Sequence, residues 1–265
     1  MRKSSHKTAF IVSLLMIIPS LVSAHSLWLN ASTYRPESAR DVYNTIVYFG
    51  YGHMFPVHDF LRREQVREFR LISPEGEESI EAGEGGFLAT PLMLNGSGAY
   101  TVTSATQKGF YTMYREGERI QHKMGNMEGL SNVIVSLYYE QYAKALISAG
   151  ETNESDFIEP VGHNIEIVPV TNPYNLKVGD HLPIKVLFNG RPASFCMIEA
   201  TYVGFSEEEE FAFSTRTDGR GNGVVRLLHP GRWIVFATVR RPARGELEGQ
   251  ALEEKYTASL TFSVR

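Results

Sequence analysis

The sequence predicts a mainly β protein made of two β-sandwich domains, the second immunoglobulin-like, with one helix near the end of the first. Three observations lead there. Short apolar runs recur along the chain between Gly, Pro and Asn clusters, the rhythm of strands and turns. The 13 tyrosines and 15 phenylalanines far outnumber the 2 tryptophans, which suits pleated surfaces. Residues 161–265 carry about seven short strand signals, the number in an immunoglobulin-like sandwich. At 265 residues, the chain is too long for one small sandwich and fits two domains of about 100–150 residues.

The first 24 residues stand apart. Arg2, Lys3 and Lys7 precede an apolar run over 8–20, and Val22 and Ala24 sit three and one before a break, the pattern of a cleavable secretory signal. The run falls short of the roughly 20 residues a membrane span needs, and Ser13, Pro19 and Ser20 interrupt it. No direct membrane insertion is expected. Cleavage after Ala24 leaves His25 first.

The first domain is read over 25–160. Residues 25–30 alternate as a strand, and 41–49 form another that runs into the loop Gly50-Tyr51-Gly52-His53-Met54-Phe55-Pro56-Val57-His58. Further strands are expected over 66–73, 86–94, 98–105 and 110–114. Residues 115–129, with His122, Met124 and Met127, read as a long exposed loop. Ile134, Leu137, Tyr138, Tyr142, Ala145 and Leu146 recur at three-four spacing, which predicts a helix over 132–149 that Gly150 ends. An acidic joint over 151–163 leads into the second domain, 161–265. There Leu182, Ile184, Val186 and Phe188 alternate into Asn189-Gly190, a strong hairpin signal. Strands over 165–169, 194–203, 210–215, 224–228, 232–239 and 256–264 complete the count.

Composition excludes several functions. The whole chain has a formal net charge of −4, and losing the three basic residues of the leader makes the remainder more acidic. Nucleic acids and anionic membranes, which need basic patches, are not expected partners. A single cysteine, Cys196, allows no internal disulfide, suits a bacterial periplasm, and reads as a buried inert thiol among Phe195, Met197 and Ile198. No nucleophile elbow, phosphate loop or dinucleotide fingerprint is present, so no enzyme is read. The run Glu207 to Glu210 reads as a solvated edge, since adjacent strand residues point to opposite faces.

The histidines carry the chemistry. A first-position histidine offers its α-amine and ring Nδ1 to one metal ion, and one further imidazole completes a histidine brace. His53 and His58 flank a proline-bent loop and can approach one site. His163, in the joint between domains, can close that site from the second domain. The candidate metal ligands are therefore His25, His53, His58 and His163. His181 and His229 fall at turn edges and read as exposed.

Several stretches resemble a known family. They include Ala24-His25-Ser26-Leu27-Trp28-Leu29, Gly52-His53-Met54-Phe55, Tyr142-Ala143-Lys144-Ala145-Leu146, Gly162 to Pro169, Asn172-Pro173-Tyr174 and Pro230-Gly231-Arg232-Trp233. They are similar to a periplasmic domain-of-unknown-function family often labelled nickel uptake transporter family protein, over essentially the whole chain after residue 24. The resemblance implies a periplasmic protein that captures or delivers nickel or cobalt beside a membrane metal transporter, with His25 and His53 as ligands. His58 is not part of that motif. Amine and imidazole donors also suit copper and zinc. The alternatives are a protein- or glycan-binding sandwich that needs no metal, and a histidine-brace copper oxidase.

Overall fold

A computed structural model describes residues 25–265; the leader read over 1–24 lies outside the described residues. The first half of the chain forms β1 (Ser26–Ala31), β2 (Ser38–Ala39), β3 (Val42–Gly52), β4 (Val66–Ser73), β5 (Gly76–Ser79), β6 (Thr90–Asn95), β7 (Gly98–Thr106), β8 (Gly109–Glu116), β9 (Arg119–Lys123) and β10 (Val133–Ala149). The second half adds β11 (Ile165–Pro169), β12 (His181–Phe188), β13 (Arg191–Pro192), β14 (Met197–Tyr202), β15 (Phe213–Arg216), β16 (Asn222–Arg226), β17 (Gly231–Pro242) and β18 (Glu253–Val264). Mainly β is what the structure shows.

Two expectations are corrected. Residues 132–149 are not a helix but the long strand β10, and no α-helix occurs among the described residues. The loop expected over 115–129 contains β9, which turns at Gly117 and pairs with β8. None of the described helical turns is long and apolar enough to cross a membrane.

One ten-stranded sheet, with main order β15-β14-β17-β18-β10-β7-β4-β5, joins strands from both halves of the chain. Its centre is the parallel pair β10–β18, from Leu137↔Glu253 to Ala145↔Thr261. Register then fixes which side chains share a face, because successive residues of a strand alternate. Gln141, Ala143 and Ala145 stand opposite Thr257, Ser259 and Thr261, and those stand opposite Thr238, Phe236 and Ile234 of β17. On this first face lies the small sheet of β1, β2, β3 and β6; Thr261 Oγ1 donates to the Leu29 carbonyl at 2.7 Å, and Trp28 packs with Ile234 and Phe236.

Tyr142, Lys144, Ala258, Leu260, Val235 and Ala237 point to the second face. Here β11, β12, β16 and the short β13 form a sheet whose Ile165, Ile167, Leu182 and Ile184 share a core with Leu260 and Val235. This sheet facing β15-β14-β17-β18 makes an immunoglobulin-like sandwich. The large sheet is thus covered on opposite faces by two small ones, and its middle is buried on both. The hairpin expected at Asn189-Gly190 joins β12 to β13, with Gly190 at φ 70°.

Candidate functional site

The site grows from the pairing of β1 with β3. Ser26 stands opposite Gly52 and Trp28 opposite Gly50, so His25 emerges beside the loop that follows β3. Close approach requires both glycines. A Cβ on Gly50 would lie 1.9 Å from Trp28 Nε1. Gly52 has φ +127°, and a Cβ there would lie 2.6 Å from His58 Nδ1. The loop is then tied down. The Pro56 carbonyl accepts from Trp28 Nε1 at 2.9 Å and from Asn30 Nδ2 at 3.0 Å, and the Asp59 N–H donates to the Tyr51 carbonyl at 2.9 Å. Trp28 meets Phe55 and Phe236 edge-on, at 6.3 and 6.2 Å between ring centres.

Three of the four expected histidines come together. The ring centre of His25 lies 4.7 Å from that of His53 and 6.4 Å from that of His58, and His53 and His58 are 5.7 Å apart. The His25 ring stacks on Tyr51 at 5.1 Å, while its carbonyl accepts from Gln141 Nε2 at 2.8 Å. A carboxylate stands behind each of two rings: Asp59 Oδ2 is 3.4 Å from His25 Nε2, and Glu209 Oε1 is 3.2 Å from His53 Nδ1. The opposite ring nitrogens, His25 Nδ1 and His53 Nε2, have no hydrogen-bond partner among the described residues. His58 differs. Its Nδ1 accepts the His53 backbone N–H at 2.9 Å, which puts a neutral ring's proton on Nε2. It holds the loop. Burial lowers the pKa of His25, the neighbouring His53 and His58 rings lower it further, and Asp59 works against them.

His163 is not in this cluster. Its Nε2 is 3.1 Å from Glu68 Oε1 and its ring lies 4.8 Å from that of Tyr142. Glu68 and Tyr142 both register with Ala105 and project to the second face, across the large sheet from Gln141 and His25. The expectation that His163 closes the site from the second half is corrected. The physical reason is a competing set of partners: Asn164 Nδ2 donates to Glu140 at 2.8 Å, and the N–H groups of Val161 and Gly162 donate to Glu166 at 2.9 and 3.2 Å. The Gly162 to Pro169 stretch is a structural joint.

Asp59 and Glu209 are the residues that reading the sequence missed. Asp59 follows His58 directly, and the two-residue geometry of a bent loop was its only signal. Glu209 lies in the acid run taken for a solvated edge; its role depends on a contact across 156 residues. His122 pairs with the Tyr111 hydroxyl at 2.6 Å. Cys196 is buried, and burial pushes its thiol up to about 12, which keeps it unreactive.

With the geometry in place, comparison with known proteins adds a family. Residues 22–241 match the family described as a domain of unknown function, DUF4198. The chain belongs to that family. No curated protein matches it. Among solved structures, the chain is similar to the D0-D1 domain of intimin at 12% identity and a TM-score of 0.22, over 90% of this chain and 98% of that one. The D00-D0 domain of intimin gives 14% identity and a TM-score of 0.20, over 89% and 98%.

Proposed function

We propose that this protein binds a divalent transition metal ion at His25 and His53 and captures or delivers it for uptake, without catalysis. One observation carries the reading: each of these rings has a carboxylate behind one nitrogen and leaves the other free. A carboxylate behind the ring fixes tautomer and orientation and raises ligand basicity. Among the described residues no three His, Cys, Asp or Glu side chains stand in ligating geometry about one point. The third donor of this proposal is therefore the α-amine of His25, released when the leader is cut after Ala24. His25 Nδ1 is the nitrogen that can chelate together with that amine, and it is the free one. The residues fit the group.

The family resemblance favours nickel or cobalt, with a membrane metal transporter as the partner in a periplasm. Copper should bind most tightly in open competition, and zinc also suits these donors. Calorimetric titration of nickel, cobalt, copper and zinc into protein that begins at His25 tests the proposal. The comparison is a protein with one alanine added before His25, which keeps the ring and displaces the amine. Tight binding abolished by the extra alanine is the expected result. Equal binding by both proteins, or none by either, overturns it.

A further inference from the structure

A groove of about 680 Å³ opens on the first face of the large sheet, where the sheet of β1 and β3 stops covering it. His53 and Glu209 stand at one end, and Phe236, Met197 and Phe211 give it an apolar side. Four of its charged groups are already matched, because Arg240 pairs with Glu253 and Glu209 with His53, and Arg216 donates to the Phe195 carbonyl at 3.1 Å. Two others are not. Glu199 and Lys255 both line the groove, both are half-buried, and neither has a hydrogen bond or ion pair among the described residues. Burial raises the pKa of Glu199 and lowers that of Lys255, and each partly offsets the other's shift.

The register sets the two backbones apart, and the side chains do not bond across the gap. Glu199 stands opposite Phe236, and Lys255 opposite Arg240. Their backbones are therefore two strands and four residues distant, about 16 Å at ordinary sheet spacings. A partly desolvated charge with no counter-charge in contact is unfavourable. Two such charges of opposite sign, on opposite sides of an apolar-walled groove, match a ligand that carries both complementary charges and an apolar body. Large pockets with a few converging polar groups are where small molecules bind.

We propose that this groove binds a small zwitterion with an apolar side chain, its carboxylate at Lys255 and its ammonium at Glu199. A free amino acid and a short peptide share that chemistry and differ in the distance between their charges.

Calorimetric titrations in EDTA test this independently of any metal, so failure here leaves the metal proposal standing. The probes are leucine, dileucine and trileucine, with the N-acetylated and C-amidated forms of whichever binds. One length should saturate the protein, which identifies the source. Blocking either end of it should weaken binding about tenfold or more, the scale of a charge-assisted hydrogen bond. Lys255→Met should lose affinity for the free ligand while binding the amide as the unaltered protein does. Glu199→Gln should do the same for the acetylated form. No saturation by any probe at about 10 mM, a millimolar floor for specific binding, overturns the proposal. So does equal binding of blocked and free ligands by the unaltered protein, a result that needs no variant to fold.

Discussion

The two faces of the large sheet each carry a histidine beside a carboxylate, and they use it differently. On the second face His163 is buried, and the carboxylates around it are saturated. Glu140 accepts from Tyr138, Tyr142, Asn164 and Lys108, and Lys144 meets Glu166 at 3.2 Å with both side chains almost wholly buried. Burial opposes the charge on Glu140, yet those four donors bring its pKa below the ordinary carboxylate value. On the first face His25 and His53 are partly exposed, and each has one bonded and one unbonded nitrogen. Saturated polar groups serve the fold, since a buried polar atom must be bonded. Unsaturated donors at a surface, held in place from behind, are available to a ligand.

The largest effect should come from the saturated side. Glu166→Leu strands the Lys144 ammonium and two backbone N–H groups, and should cost about 3–5 kcal/mol, the loss for breaking a buried pair. Chemical denaturation measures it. Lys144→Met should cost less, because Glu166 keeps the N–H groups of Val161 and Gly162; equal costs would break the comparison. On the open side, His53→Ala should leave the melting temperature nearly unchanged in EDTA and abolish measurable metal binding.

Next in size are the carboxylates behind the rings. Glu209→Gln and Asp59→Asn should each lower metal affinity about 10–100-fold, read by calorimetry, with the fold intact. Unchanged affinity in both would mean that the rings do not need support. The smallest effect concerns pH. Burial lowers the pKa of His163, so the unfolded chain binds its proton more readily than the folded one. The stability from this group is complete above the unfolded value of about 6.5 and is lost as pH falls below it. His163→Gln should flatten that part of the stability curve, as urea titrations from pH 7 to 5 would show.

Much of the fold was legible because half-covered strands alternate. Leu182 to Phe188 was read correctly for that reason. β10 was misread because its second half, from Glu140 to Ala149, is buried on both faces. A strand covered on both sides loses its two-residue period, and its Ala, Leu, Glu and Lys content favours helices in isolation. Packing between two layers overrode that preference. At the site, the glycines and the proline marked the loop, and His25, His53 and His58 marked the cluster that the fold brings together. Glu209 stayed hidden because nothing local links residue 209 to residue 53, and His163 misled because a histidine beside glycine looks the same in a joint as in a site.

The parallel pairing of β10 with β18 also bears on when the protein can fold. β18 fills the gap between β17 and β10, so the middle of the sheet is the last place to be completed during synthesis. Until residues 253–264 exist, β17 and β10 lack the strand that joins them, and unpaired strand edges invite pairing with other chains. Contacts this distant in sequence also form slowly. The large sheet therefore cannot close until β18 is present, and that is the step at which pairing with other chains competes with folding.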